Sequence, residues 1–318
     1  MNKQIKNFLI HHGRQFGTLI GLFVLIVVLW IFSPFFLTFS NLLNVAQQTS
    51  INAIIAVGMT FVIISAGIDL SVGSIVALAG VVLASTLHRG VPLPFAIMMG
   101  LGVGFLCGLV NGILITQGRL PPFISTLGMM SVARGTALLF TQGRPISGFS
   151  ADFRFLATGE ILRIPMPVVM MIMIYIVAHF VLKSTKLGRY TYAIGGNEEA
   201  AILSGVNVKF YKTIVYGICG LFSGTAAVLL SARLNSAQPI AGMMYELDAI
   251  AAVVIGGSSL MGGEGTVIGT LIGAFIMGVL RNGLNLLGIS SFIQQIIIGS
   301  VIIVAVLVDM ALKKHQTS

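Results

Sequence analysis

The stretch PFAIMMGLGVGFLCGLVNGILIT, from Pro94 to Thr116, contains no charged residue. A helix needs about 20 mainly apolar residues to cross a bilayer, so this stretch predicts a transmembrane helix. Within it, Gly100, Gly104, Gly108 and Gly112 recur every four residues. That spacing lines one helix face with hydrogen atoms, and the backbone of a neighbouring helix can then approach closely. We therefore expect a membrane helix that packs tightly against another helix.

The rest of the chain is also apolar and poor in charged residues. Charged residues make up 8% of the 318 residues and hydrophobic residues 56%, whereas a soluble domain is about 25% charged. The mean hydropathy is +1.02. This composition predicts an all-α polytopic membrane protein with about ten transmembrane helices. The predicted helices occupy residues 17–37, 46–66, 71–87, 94–116, 122–141, 167–182, 212–232, 247–261, 266–286 and 291–312.

The distribution of basic residues predicts the orientation in the membrane. With the N-terminus in the cytoplasm, the basic residues of the inner segments outnumber those of the outer segments, as the positive-inside rule requires. The inner ones are Lys3, Lys6, Arg14, Arg119, Lys183, Lys186, Arg189, Lys209, Lys212, Lys313 and Lys314. The outer ones are Arg89, Arg144, Arg154, Arg163 and Arg233. We therefore expect both termini in the cytoplasm, one transmembrane domain over residues 1–318, an outer loop at 142–166 and a cytoplasmic loop at 183–211.

The two halves of the chain share a glycine pattern. At a shift of 165 residues, three glycines of the first half coincide with three of the second, namely Gly104, Gly108 and Gly118 with Gly269, Gly273 and Gly283. Each set is followed by a Phe-Ile pair, Phe123-Ile124 and Phe292-Ile293. Five helices per half would invert the halves relative to each other, as in many transporters. The sequence thus predicts an inverted 5+5 repeat, with half-repeats at about 1–141 and 167–318.

The sequence also argues against several functions. The basic residues are scattered rather than gathered in a stripe, so we expect no nucleic-acid partner. Histidines, cysteines and acidic residues form no metal-ligand pattern, and no Gly-rich phosphate-binding motif of the GxxxxGK[ST] type occurs. We expect no catalytic residue, no metal site and no cofactor bound by this chain. If ATP drives the protein, another subunit binds the ATP.

The cytoplasmic loop contains a short predicted helix. Asn197 is a suitable N-cap, Glu198 and Glu199 complement the positive end of the helix, and Gly205 can end it. These features fit a solvated surface helix and a partner-binding helix equally well.

Three motifs make the sequence similar to a known family. Glu199-Ala200-Ala201, followed by three residues and Gly205, resembles the EAA-x3-G coupling motif of ABC-importer permeases, although the usual Ile-x-Leu-Pro continuation is missing. The segment SAGIDLSVGS, residues 65–74, resembles the signature of branched-chain amino acid and monosaccharide permeases. The segment from Tyr245 to Gly265 resembles the monosaccharide branch. The resemblance covers nearly the whole chain and is to ribose-type monosaccharide permease subunits.

This resemblance implies a function and partners. It implies a multi-pass permease of the bacterial inner membrane that imports a neutral monosaccharide, expected to be ribose, by alternating access. The implied partners are a second copy of the chain, a tandem sugar-type ATPase that binds the ATP, a periplasmic sugar-binding protein and membrane lipid. The residues expected to couple the permease to the ATPase are Asn197, Glu198, Glu199, Ala200, Ala201 and Gly205.

Neutral amide side chains are concentrated near the outer ends of the predicted helices and suit the hydroxyl groups of a sugar. The candidates for the translocation pathway are Gln47, Gln48, Asn52, Asp69, Asn282, Asn285, Gln294 and Gln295. Each amide could instead form hydrogen bonds between helices. Asp69 could line the pathway or cap the third helix by accepting from the amide of Ser71 or Val72. Arg281 is expected to extend to the outer headgroups, whereas Arg134 needs a partner inside the membrane.

Two alternatives stay open at this point. Within the same branch, the chain could carry another sugar or a furanosyl quorum signal. In a different class, it could be an ion-coupled secondary transporter. That transporter would need ionisable residues along its route, for which Asp69, Arg134 and Asp248 are the candidates.

Overall fold

The computed structural model describes the backbone of residues 3–317 and the side chains of residues 16–307 and of Met310. Met1, Asn2 and Ser318, at the ends of the predicted domain, lie outside this part. The same holds for the side chains of five basic residues that support the predicted orientation, Lys3, Lys6, Arg14, Lys313 and Lys314.

Helices make up most of the described chain. They are α1 (Lys3–Phe32), α2 (Phe39–Ile64), α3 (Val72–His88), α4 (Leu93–Thr116), α5 (Pro122–Thr141), α6 (Ala151–Thr158), α7 (Met166–Ser184), α8 (Lys186–Gly196), α9 (Glu198–Leu203), α10 (Val208–Leu234), α11 (Tyr245–Ile255), α12 (Val267–Leu286) and α13 (Ser291–Thr317). Four two-residue strands accompany them, β1 (Ile146–Ser147), β2 (Glu160–Ile161), β3 (Ile164–Pro165) and β4 (Ser236–Ala237). β1 pairs with β4 and β2 with β3, both antiparallel.

Six described helices are long and apolar enough to cross a membrane, namely α2, α4, α5, α7, α10 and α12. Shorter apolar helices occupy Phe16–Phe32 within α1, Val72–His88 and Ser291–Leu307 within α13. Each of the ten predicted segments overlaps a helix. The chain is therefore an all-helical, multi-pass membrane protein.

Helix α2 forms the centre of the bundle. From Ala53 to Ile64 every one of its residues is buried, because α7, α10, α11 and α12 pack around it. A helix that is apolar on all sides is stable only when neighbours cover every face. The hydroxyl of Tyr175 on α7 donates to the carbonyl of Ala53 at 2.9 Å, which ties one of these neighbours to α2.

Glycine seams join two helix pairs. A Cβ at Gly108 of α4 would collide with the carbonyl oxygen of Tyr216 on α10. A Cβ at Gly273 of α12 would likewise collide with the carbonyl oxygen of Ala252 on α11. Both contacts need the hydrogen of glycine in place of a side chain, so the four-residue glycine spacing performs the predicted packing role.

Contacts distinguish the two ends of the bundle. At one end, the amide of Gly263 donates to the carbonyl of Ile64 at 2.9 Å, and Gly195 of α8 packs against the same carbonyl. We call this the α9 end, because α8 leads directly into α9. At the opposite end, the α6 end, β1 pairs with β4 and α6 packs on α7 and α10.

The segment predicted as a transmembrane helix at 247–261 has a different form. Helix α11 ends at Ile255 and its 11 residues rise only about 16 Å, roughly half of the hydrocarbon thickness. After it the chain turns through Gly257, Gly262 and Gly263, all at positive φ. The residues at 238–244, before α11, are irregular. The prediction continued the helix to residue 261 because residues 249–261 contain no charged side chain.

Both predicted long loops contain regular structure. The loop at 142–166 contains α6, one strand of the β1–β4 pair and the β2–β3 hairpin. The loop at 183–211 contains α8 in addition to the predicted short helix. The buried face of α8 includes Thr191 and Ile194, and the spacing of Leu187, Thr191 and Ile194 is a helical signal that the prediction did not use.

Candidate functional site

Helix α9 begins and ends as its sequence predicts. The side-chain oxygen of Asn197 accepts from the amide of Ala200 at 2.9 Å, which satisfies one free donor of the first turn. Gly205 follows the helix with φ at +79°, a conformation that favours glycine. Ala201 faces inward against Ile194 and Val208. Its burial fixes which face of α9 points outward.

The outward face of α9 carries both charge and apolar surface. Ile202 is 56% and Leu203 88% exposed, and Glu199 and Ala200 are exposed as well. Glu198 is also exposed, but its carboxylate pairs with Lys212 of α10 at 2.6 Å, which anchors α9 to the bundle. The exposed apolar side chains of Ile202 and Leu203 at the end of a short, anchored helix are a suitable surface for a partner.

A groove of about 600 Å³ runs beside α9. The loop between α4 and α5 forms one wall, and the start of α10 forms the other. Its lining includes Arg119, Leu120, Pro121, Ile202 and Lys209. Lys212 and Glu198 also line the groove and neutralise each other, so Arg119 and Lys209 give it a positive character.

Tyr192 connects α8 to the turn after α11. Its hydroxyl donates to the carbonyl of Gly265 at 2.7 Å. Burial raises the pKa of the Tyr192 phenol above its usual value, so the hydroxyl keeps the proton that this hydrogen bond needs. The contact joins the α9 region to the short helix α11.

A second polar site lies between α2, α11 and α12. Asp248 is 4% exposed, and both of its oxygens accept from Nη2 of Arg281, at 2.9 and 2.7 Å. The amide nitrogen of Asn52 donates to the same carboxylate at 3.3 Å. Gln48 and Thr49 complete the polar lining of the cavity at this point. We call these five residues the α2–α11–α12 notch.

The structure brings two of the predicted pathway residues, Gln48 and Asn52, to this notch. Their separation of four residues on α2 gives them the same helix face. Asp248 and Arg281 are also part of the notch. Asp248 was predicted only as an ionisable residue on the route of a secondary transporter, and Arg281 was not predicted as a pathway residue. The expectation that Arg281 extends to the outer headgroups is wrong, because its guanidinium points to Asp248 instead.

The other predicted amides lie apart and form internal hydrogen bonds. Gln47 donates to the carbonyl of Ala157 on α6 at 2.8 Å. Asn282 and Asn41 exchange amide hydrogen bonds at 2.9 and 3.0 Å. Gln294 donates to Asn285 at 2.8 Å across the turn between α12 and α13. These contacts are the hydrogen bonds between helices and turns that the sequence left open as an alternative. Gln295 is exposed on α13.

Asp69 lies fully buried between α2 and α3. Its Oδ1 accepts from the backbone amide and the hydroxyl of Ser71, at 2.8 and 2.5 Å. Asn111 of α4 donates to the same Ser71 hydroxyl at 2.9 Å. The carboxylate therefore organises the first turn of α3, as the capping interpretation expects. A role of Asp69 in the pathway stays a prediction.

Arg134 finds its partners in the irregular segment before α11. Its Nη1 donates to the carbonyls of Pro239 and Ala241, at 2.8 and 2.6 Å. Non-helical backbone at membrane depth leaves carbonyl groups without helix hydrogen bonds. The guanidinium satisfies two of them.

Among the described residues, no group of three or more His, Cys, Asp or Glu is placed to hold a metal ion. The polar side chains of the notch include both hydrogen-bond donors and acceptors.

Comparison with known proteins identifies a family and several relatives of the chain. Residues 41–306 match the family described as branched-chain amino acid transport system / permease component. The chain is 48% identical over 298 residues to the ribose import permease protein RbsC of Bacillus subtilis, covering 93% of this chain and 92% of that protein. It is 51% identical over 296 residues to RbsC of Escherichia coli K12, covering 92% of each. The D-allose transport system permease protein AlsC of E. coli K12 is 38% identical over 302 residues, covering 94% of this chain and 93% of that protein. No solved structure matches the chain.

Proposed function

Because the chain belongs to the branched-chain amino acid transport system / permease component family, we propose that it is the membrane-spanning permease subunit of an ATP-binding-cassette importer for ribose. The observation that carries the proposal is the identity of 48% and 51% to two ribose import permeases over nearly the whole of each chain. The identity to the D-allose permease is lower, at 38%. That difference favours ribose over another sugar of the same branch or a furanosyl signal.

The permease forms a route for a neutral sugar and changes no covalent bond. The α2–α11–α12 notch pairs one carboxylate with one guanidinium, so the site offers hydrogen bonds without a net charge. A charged solute would have to leave water without a compensating partner, which is costly. Ribose, with its hydroxyl groups, needs no such partner.

Ten membrane crossings in an inverted 5+5 arrangement fit the packing. If the helices of the second half repeat those of the first, α2 corresponds to α10, α3 to α11 and α4 to α12. The neighbours then correspond too: α10 packs on α3 and α4, and α2 packs on α11 and α12. The α4–α10 glycine seam is one of these contacts, and the α11–α12 seam corresponds to the packed pair α3–α4. The eighth crossing combines the irregular residues 238–244 with α11.

We place the α9 end in the cytoplasm of the bacterial inner membrane, with both termini on that side. The basic residues Arg119, Lys209 and Lys212, which line the groove there, support this orientation.

The partners are a second copy of the chain, an ATPase subunit that binds the ATP and docks on α9, and a periplasmic sugar-binding protein that docks at the α6 end. The exposed Ile202 and Leu203 support the ATPase contact.

The test is sugar uptake by proteoliposomes that contain the permease, the ATPase and the binding protein. We expect labelled ribose to cross the bilayer from the side of the binding protein to the side of the ATPase only when ATP is supplied to the ATPase. Ribose 5-phosphate and branched-chain amino acids should not accumulate. Amino acid uptake at a comparable rate would contradict the sugar assignment. Ribose uptake driven by an ion gradient without ATP would indicate the alternative class, a secondary transporter.

A further inference from the structure

The α2–α11–α12 notch combines three features that are rarely found together inside a membrane protein. A carboxylate that is almost fully buried faces a guanidinium, and two amide side chains lie beside them. Polar groups at this depth are costly and therefore mark functional sites. Helix packing alone does not explain why these polar side chains are grouped in the notch.

The ion pair leaves hydrogen-bonding capacity unused. Among the described residues, Arg281 donates only through Nη2, and both of these bonds go to Asp248. The side chain of Arg281 is 39% exposed, whereas that of Asp248 is 5% exposed. The remaining N–H groups of the guanidinium are thus available at the mouth of the notch.

Thr49 supplies an independent observation. Its hydroxyl is buried and has no hydrogen-bond partner within the described part of the chain, although the residue lines the notch. Buried hydroxyl groups in proteins nearly always have a partner. This hydroxyl at a polar cavity is therefore free to form a hydrogen bond with a group that enters the notch.

The size of the notch limits what this molecule can place in it. Its volume of about 30 Å³ has room for roughly one water-sized group. A whole sugar ring does not fit, but one hydroxyl group does. An adjacent hydroxyl group would then lie at the mouth, close to Gln48 and Arg281.

The charges of the notch determine which chemical groups can bind there. A hydroxyl group can donate to Asp248 and accept from Asn52, Gln48 or Arg281. Because the charges of Asp248 and Arg281 offset each other, the notch has no net charge to compensate that of a phosphate, carboxylate or ammonium group. Vicinal hydroxyl groups of a neutral polyol match this set of donors and acceptors.

We propose that the α2–α11–α12 notch is a subsite that binds two adjacent hydroxyl groups of the sugar as it passes through the permease. This assignment rests on the proposed function and adds the residues that contact the sugar. The apolar part of the lining is Ala252, Ala274, Met277 and Gly278, and none of the described lining residues is aromatic, so the subsite holds the sugar only weakly. Weak binding suits a route that must release its cargo.

The test uses two conservative variants in the reconstituted importer. Thr49→Val removes the unpartnered hydroxyl and keeps the branched shape, and Gln48→Ala removes an exposed amide. We expect each to lower ribose uptake at subsaturating sugar about 2- to 10-fold, the loss of one hydrogen bond. ATP hydrolysis stimulated by the loaded binding protein should persist, so that less sugar enters per ATP.

The matched controls are Thr136→Val on an exposed part of α5, where the hydroxyl bonds only to the carbonyl of Val132, and Gln117→Ala at the α9 end. Both should transport at the wild-type rate. Wild-type vesicles without ATP-dependent ribose uptake would overturn the proposed function itself. Normal uptake and normal sugar-to-ATP ratios in both notch variants, with an active wild type, would overturn the subsite alone.

Discussion

At the scale of single residues, the positions of Arg134 and Arg281 show how this protein accommodates charge in a membrane. Arg281 is neutralised by a carboxylate, whereas Arg134 donates to two backbone carbonyls. The first arrangement creates a polar site, and the second supports an irregular backbone. Sequence reasoning could recognise that Arg134 needs a partner, but it could not name carbonyl groups about a hundred residues away.

We expect Arg134→Gln to destabilise the protein by about 1 to 3 kcal/mol, because it leaves buried carbonyl groups without their donors. Thermal unfolding in detergent measures the change. The control, Arg144→Gln, removes an exposed arginine of the outer loop and should change stability by less than about 0.5 kcal/mol. Equal stability of the two variants would show that the Pro239 and Ala241 carbonyls do not depend on Arg134.

At the scale of helices, the positions of the glycines determine which helices can approach each other closely. Within α4, Gly108 touches the backbone of α10, but Gly102 has nothing within 4 Å of an added Cβ. The two glycines lie in the same helix, so a comparison between them separates packing from helix propensity.

Gly108→Ala should therefore force α4 and α10 apart and cost about 1 to 3 kcal/mol. Gly102→Ala should be neutral or stabilise the protein by up to about 1 kcal/mol, since alanine is the better helix former. Unfolding midpoints of both purified variants provide the comparison. A Gly108→Ala protein as stable as Gly102→Ala would argue against the α4–α10 seam.

The short helix α9 allows an equally direct test. Leu203→Glu places a charge on its most exposed apolar residue and does not disturb the backbone, whereas any side chain at Gly205 would be strained by the positive φ. We expect the variant to bind the ATPase at least about 10-fold more weakly, as for an interface anchor. Co-purification and uptake provide the measurement.

The control for this variant is Leu162→Glu. Leu162 is 90% exposed, at the tip of the β2–β3 hairpin and at the opposite end of the bundle. This variant should bind the ATPase normally. If Leu203→Glu also recruits the ATPase and transports like wild type, α9 is not the coupling helix.

At the scale of the whole molecule, the outer loop at 142–166 is a folded platform. It exposes Arg144, Asp152, Arg154 and Glu160 beside α6. Charges at the rim of an interface mainly set the rate of association, and salt screens them. We expect Arg144→Glu combined with Arg154→Glu to slow docking of the binding protein, most strongly at low ionic strength. Surface plasmon resonance at several salt concentrations measures this rate. An association rate that equals the wild-type rate at every salt concentration would move the docking surface elsewhere.

The sequence predicts the helical architecture of this molecule better than its site. Hydrophobicity is a local property, so each of the ten predicted segments overlaps a helix, and six of these helices are long and apolar enough to cross a membrane. The capped helix α9 could also be located from its residues alone. The notch depends on how α2, α11 and α12 meet. Asn52, Asp248 and Arg281 are far apart in the chain, and no local pattern predicts their hydrogen bonds. The β1–β4 pair was missed for the same reason, because its strands are two residues long and lie ninety positions apart.

That small pair of strands has a mechanical consequence. Ile146 of the outer loop is in register with Ala237, and residues 238–244 then lead directly into α11, which carries Asp248. A protein that pulls or tilts the outer loop must move β4 with it or break the ladder. Residues 238–244 would then transmit the displacement of the loop to α11. If the binding protein docks on this loop as proposed, a continuous piece of backbone joins its docking site to α11.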